Sequence, residues 1–181
     1  LVRRPHGGWL ADNTDIGGLE DALRPVWNPA WRRAAVLGAG ATARSALLAL
    51  MDLGVTGVDV YVRDLEKGAA LHDWIPASLA LTVLPLTQWA GGEQPVVLST
   101  LPGGAADAFG VPERRAGLLF DVVYAGWPTP LARAAQAAGM TVVGGLDLLV
   151  HQAARQFELF TGRAAPIEAM FAAGRAALEG P

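Results

Sequence analysis

Val36-Leu37-Gly38-Ala39-Gly40-Ala41-Thr42-Ala43-Arg44 is the stretch on which the fold turns. It continues a short β-rich run, Ala34-Ala35-Val36-Leu37, and leads into an Ala/Leu-rich segment with helical spacing, Ala43 to Leu53. A Gly-x-Gly-x-x-Ala sequence between a strand and a helix predicts a dinucleotide-phosphate turn, and each position has a physical task. Gly38 permits the tight turn, Gly40 lets the backbone approach a pyrophosphate with no Cβ in the way, and Ala43 is small enough for the helix to pack on the strand. Ala39, Ala41 and Thr42 complete the loop. The helix N-terminus then offers free N–H groups and a partial positive charge. A glycine-rich turn without a ligand is the alternative, and the strand-to-helix setting weighs against it.

Outward from this turn, β-rich runs recur at Val58–Val62, Leu81–Leu84, Pro95–Leu98, Leu118–Val123 and Met140–Val143. Helical spacing falls between most of them, at Leu65–Trp74 and Pro130–Ala138 for example. Near-continuous apolar strands alternating with helices predict a parallel sheet covered on both faces. With right-handed crossovers the expected fold is α/β, a Rossmann-like doubly wound parallel sheet of about six strands. Residues 31–145 form this unit. Residues 1–30 read as a linker segment and a helix, Ile16–Leu23, capped by Asn13-Thr14-Asp15 and ended near Pro25. Residues 146–181 read as two C-terminal helices, Leu146–Phe160 and Pro166–Leu178, parted at Thr161-Gly162 and packing on the same domain.

Composition agrees with a thick-cored domain. Of 181 residues, 52% are hydrophobic and 17% charged, which excludes a disordered chain. The formal charge of −3 gives no reason to expect nucleic acid or an acidic membrane as partner. The basic pairs Arg3-Arg4, Arg32-Arg33 and Arg114-Arg115 are too short to alter that. No apolar run is long enough to span a bilayer. The absence of cysteine fits a cytoplasmic location. His6, His72 and His151 show no metal-ligand spacing and read as structural, and the six tryptophans as core or domain-edge residues.

The second strand ends at Val62-Arg63-Asp64, where a ribose-reading residue belongs. Arg63 could pair with a 2′-phosphate, while Asp64 could accept hydrogen bonds from free ribose hydroxyls and would repel a phosphate. NADP is expected, with NAD open.

Four segments in register resemble the C-terminal half of the shikimate dehydrogenase family. They are Ala11-Asp12-Asn13-Thr14-Asp15-Ile16-Gly17-Gly18, the Gly38–Arg44 loop, Asp121-Val122-Val123-Tyr124 with Pro128-Thr129-Pro130-Leu131, and Gly145–Ala153 continued by Phe157–Gly162. The resemblance implies hydride transfer between NADP(H) and shikimate or 3-dehydroshikimate, in aromatic amino-acid biosynthesis. It implies that Asp15 contacts the substrate and, with a lysine, handles the hydroxyl proton. Tyr124 and Gln152 then contact the substrate, a small cyclic polyol acid. Val122, Gly145, Leu148 and the loop Ser99-Thr100-Leu101-Pro102 border the cofactor.

Some positions depart from the family pattern. Ala41 replaces a loop glycine, Leu148 a methionine, and Val62-Arg63-Asp64 stands for Asn-Arg-Thr, which raises an NAD-linked quinate/shikimate dehydrogenase as a rival. A non-catalytic dinucleotide-binding module is the rival of another class, and Asp15, Tyr124 and Gln152 together count against it. The only lysine, Lys67, follows the second strand and cannot be the catalytic one. A substrate domain is expected to precede Asn13, so this chain is expected to bind cofactor and turn over negligibly. Oligomeric state is open.

Overall fold

The computed structural model describes residues 1–3, 6–91, 93–109 and 116–180. Arg4, the second member of the first basic pair, and both members of the Arg114-Arg115 pair lie outside these described residues. A short antiparallel hairpin, β1 (Val2–Arg3) and β2 (Trp9–Leu10), precedes α1 (Thr14–Leu23). Then come β3 (Arg33–Leu37), α2 (Ala41–Asp52), β4 (Gly57–Val62), α3 (Leu65–Ala69), β5 (Ala80–Pro85) and β6 (Val96–Ser99). The chain continues through β7 (Leu118–Asp121), α4 (Pro130–Ala137), β8 (Thr141–Gly144), α5 (Gly145–Thr161) and α6 (Ile167–Glu179).

Strands β3 to β8 form one six-stranded sheet in the order β5-β4-β3-β6-β7-β8, and every pairing is parallel. The expected Rossmann-like doubly wound α/β fold is what the chain adopts. The order runs outward from β3 in one direction, then reverses to β6. Ligands of such sheets bind outside the carboxyl ends of the strands at this reversal. Here those ends carry the Gly38–Gly40 turn after β3 and Thr100–Pro102 after β6.

Alternate residues of the central strands feed two separate cores, as a sheet buried on both faces requires. Ala34 and Val36, with Val96, Leu98, Leu118 and Phe120, face Leu19, Leu23, Leu47 and Leu50 of α1 and α2. Ala35 and Leu37, with Val97 and Leu119, face Leu131 and Ala135 of α4 together with Trp89. Phe120 is fully buried, and burial of a side chain of that size contributes roughly 1.5–3 kcal/mol.

The second face is covered more thinly than the alternating pattern predicts. Between β5 and β6 there is no α-helix among the described residues, only a 3-10 turn, Leu86–Gln88, followed by Trp89. The connection is short and carries Pro85, Gly91 and Pro95, which interrupt helical hydrogen bonding. Trp89 fills the gap by packing edge-on against Tyr61, with ring centroids 5.0 Å apart. The β1–β2 hairpin is likewise absent from the sequence-based expectation. Its turn uses positive φ at Gly7 and Gly8, and two-residue strands carry no periodicity to read.

Two helices distant in sequence, α1 and α5, close together on one face. A Cβ on Gly18 would lie 2.8 Å from the Gln152 backbone nitrogen, so only glycine admits this approach. Arg155 lies over Gly17 and donates to both carboxylate oxygens of Asp21, at 2.8 and 3.1 Å. The Gln156 side chain donates to Thr14 Oγ1 at 3.0 Å. Helix α6 packs on α5, with Gly174 against Leu146 and the His151 and Phe171 rings in edge contact. No helix among the described residues is long and apolar enough to cross a membrane.

Candidate functional site: the glycine-rich turn and its neighbours

The two loop glycines serve different purposes. Gly38 has φ +110, and its N–H donates to the Tyr61 carbonyl at 2.8 Å. A Cβ there would stand 2.5 Å from Thr100 Oγ1. That hydroxyl is fixed, since both Oγ1 and N–H of Thr100 donate to the Leu37 carbonyl at 2.8 and 2.9 Å. Gly38 is therefore a requirement of the fold. Gly40 is not: its φ is −79, open to any residue, and a Cβ would meet nothing within 4 Å. Open space beside an unrequired glycine, at the head of a helix, leaves room for a group from outside the chain.

That helix is α2, and no side chain caps it. Its first-turn N–H groups are thus available to an anion. Ala43 is fully buried against the sheet, as the motif demands. A cavity of about 310 Å³ runs from Gly38, Ala39 and Gly40 past Arg63 and Asp64 to Thr100, Leu101 and Pro102. The turn fits a dinucleotide phosphate on three counts: the room at Gly40, the uncapped helix, and the Thr100 loop facing it across the strand reversal.

Arg63 and Asp64 differ in freedom. Asp64 caps α3, its Oδ1 accepting from the N–H groups of Glu66 and Lys67 at 3.1 and 3.2 Å. Its other oxygen lies 3.8 Å from Lys67 Nζ. Arg63 is exposed and has no ion-pair partner among the described residues. Lys67 lines the same cavity, which the sequence reading did not anticipate. The spacing held the signal: four residues on from Arg63, across a helix start, the side chain leans back over the strand end.

Asp15 is partly buried in the first turn of α1, with Asn13 as the cap accepting from its N–H at 3.2 Å. It shares a cavity of about 390 Å³ with Ala41, Arg44 and Trp74. There the Arg44 guanidinium lies over the Trp74 ring, 4.9 Å from its centroid. Ala41 thus faces the side of Asp15, while Gly38–Gly40 faces the side of Arg63. Gln152 packs on Gly18, one turn along α1 from Asp15. Gly145 abuts the Val122 carbonyl, and Leu148 is buried beneath them. Tyr124, 47% exposed, borders a third cavity of about 470 Å³ with Trp127, Asp147 and Arg175. The candidate residues therefore spread along the carboxyl edge of the sheet over three cavities.

The loop bearing Tyr124 is organised by a buried carboxylate. Asp121 ends β7 at 1% exposure, accepting from Thr129 Oγ1 at 2.7 Å and from the Val123 N–H at 3.3 Å. Thr129 also caps α4, accepting from Ala132 N–H at 3.0 Å, so one hydroxyl joins strand, loop and helix. Burial pushes the Asp121 pKa above 3.8, and the hydrogen bonds from Thr129 and Val123 only partly offset it. A raised folded pKa means that folding favours the protonated acid. Stability from this group is therefore fullest below the ordinary carboxylate range and declines as pH rises towards the folded value. Asp121→Asn, neutral throughout, should gain stability relative to the natural protein as pH rises from acid to neutral in parallel urea titrations. A constant difference would contradict this assignment.

Among the described residues no group of three or more His, Asp or Glu side chains is placed to hold a metal ion.

Known proteins resemble this chain in sequence and fold. Residues 145–173 match the family described as Shikimate 5'-dehydrogenase C-terminal domain. Shikimate dehydrogenase (NADP(+)) of Synechococcus sp. (strain JA-3-3Ab) is 33% identical, over 94% of this chain and 62% of that protein. The crystal structure of Mycobacterium tuberculosis shikimate dehydrogenase superposes with a TM-score of 0.82 at 41% identity, covering 97% of this chain and 66% of the other. Shikimate 5-dehydrogenase from Thermus thermophilus, in complex with NADP(H) and shikimate, superposes with a TM-score of 0.75 at 30% identity, covering 92% and 63%. The chain spans somewhat less than two thirds of the length of these relatives.

Proposed function

Because the chain belongs to the shikimate dehydrogenase family, matching its members' C-terminal part, we propose that it is the NADP(H)-binding portion of an oxidoreductase acting on shikimate and 3-dehydroshikimate in the cytoplasm. The observation that carries this reading is Gly40, a glycine the fold does not need, opening on the uncapped head of α2. The N–H groups of that first turn hold the pyrophosphate. Val122, Gly145 and Leu148 border the nicotinamide, which when bound accepts or supplies the hydride. Asp15 takes the proton from the substrate hydroxyl on oxidation and returns it on reduction. Tyr124 and Gln152 orient the substrate ring beside it.

Two cations against one occupied carboxylate favour NADP over NAD. Asp64 is held by its cap and by Lys67, whereas Arg63 is free to pair with a 2′-phosphate and Lys67 borders the same cavity. Hydrogen bonds to charged groups contribute about 1.5–3 kcal/mol. Replacing Arg63 and Lys67 together with alanine should therefore weaken NADP+ binding roughly ten- to a hundredfold, with little effect on NAD+. Equal losses for both cofactors in calorimetric titrations would show that these residues do not read the phosphate.

The single lysine lies at the cofactor cavity, so these 181 residues supply Asp15 without a lysine beside the substrate. They should bind NADP+ yet give no shikimate-dependent absorbance of NADPH. A clear signal from the purified chain would overturn that part of the proposal.

A further inference from the structure

One buried polar side chain has no part in the chemistry above. Ser45 lies in the second turn of α2 at 3% exposure. Alanine would suit the helix better there, since serine back-bonding to the preceding turn weakens helices slightly and a buried hydroxyl must be satisfied. Its hydrogen bonds show what the hydroxyl is used for. Ser45 Oγ donates to the carbonyl of Ala41 at 3.4 Å and accepts from Asn13 Nδ2 at 3.1 Å. The other end of that amide, Asn13 Oδ1, accepts from the Asp15 N–H at 3.2 Å. Three hydrogen bonds thus run from the first residue of α2 to the backbone of Asp15. All four residues border one cavity.

The neighbouring position is held from the opposite side, where Gln156 of α5 donates to Thr14 Oγ1. The first turn of α1 is therefore gripped between the cofactor helix and the helix that carries Gln152. Thr14 is buried, so this anchor lies away from solvent.

From this geometry we infer that Ser45 is a positioning residue, coupling occupancy of the phosphate turn to the placement of Asp15. The inference rests on the reading of the turn and of Asp15 given above. Phosphates gathered at the α2 N-terminus draw on its first-turn peptide groups, Ala41 among them. Ser45 passes the displacement to Asn13, and the Asn13 cap passes it to Asp15. Ser45 touches no reacting atom and acts only through these groups.

The test follows backbone amide resonances of the 15N-labelled chain during titration with NADP+, for the natural protein and for Ser45→Ala. Thermal unfolding of each serves as the control for folding. In the natural protein the Asp15 amide resonance should move on saturation along with that of Ala43. In Ser45→Ala the Ala43 response should persist while the Asp15 response shrinks at least about twofold, the scale expected when a coupling network loses a member. Asn13→Ser is the second variant, because serine retains the cap but is too short to reach Ser45. It should show the same loss at Asp15. An undiminished Asp15 response in either variant, with NADP+ bound, overturns the coupling and leaves the functional reading standing. A folded natural chain that does not bind NADP+ removes the reading and the coupling together.

Discussion

Replacing Gly40 with valine is expected to eliminate most dinucleotide binding while leaving the protein folded. The backbone at Gly40 is in an ordinary extended conformation, and a Cβ built there meets no atom within 4 Å. The added branches project into the space that the proposed function gives to the pyrophosphate. Overpacking of this kind costs about 1–3 kcal/mol, which corresponds to a roughly ten- to hundredfold weaker Kd. The fold should lose no more than about 1 kcal/mol, the difference between glycine and valine at a helix cap. Gly38, two residues earlier, should behave in the opposite way. Its φ of +110 and its contact with Thr100 make Gly38→Ala a folding defect first and a binding defect only in consequence. Calorimetry and thermal unfolding on the two variants separate these cases. Equal effects on stability would mean that Gly40 is structural after all.

Gly145→Ala should be among the most destabilising single substitutions in the chain. A methyl group at this first residue of α5 would overlap the Val122 carbonyl oxygen, which is backbone and cannot rotate away. Gly145 N–H also donates to the Val123 carbonyl at 3.2 Å, so any retreat breaks a hydrogen bond between β7's exit loop and α5. The cost should be about 3 kcal/mol, lowering the unfolding midpoint on the order of 10 °C. The damage extends to function, because α5 carries Leu148 and Gln152 and packs on the helix of Asp15. Retention of the natural midpoint in Gly145→Ala would show that α5 can shift freely, and the placement of Gln152 against Gly18 would lose its rationale.

Much of this architecture was legible in the residues. The turn between β3 and α2 declares itself because glycine, alanine and strand hydrophobicity occur in a fixed order imposed by sterics. The six strands were legible because a sheet buried on both faces needs unbroken apolar runs. Thr129-Pro130-Leu131 was visible as a family motif, but its reason is structural: a cap, a first-turn proline and a buried leucine. Other features were legible only in part. Pro85, Gly91 and Pro95 argue against a helix between β5 and β6, but the packing of Trp89 from that connection onto Tyr61 of β4 could not be read locally. Lys67 was set aside as unable to act on substrate, although its spacing from Arg63 already pointed to the cavity that both residues line. The Asn13–Ser45 contact joins residues 32 apart in sequence, and neither side chain advertises the other.

The most direct test is to titrate the folded chain with NADP+ and then with NAD+, following heat at fixed salt. Binding of NADP+ at least about tenfold tighter than NAD+, as one charged contact to the 2′-phosphate provides, is the expected result. A folded chain that binds neither would leave the Gly38–Ala43 loop a structural turn and would contradict the assignment of this protein as a dinucleotide-binding one.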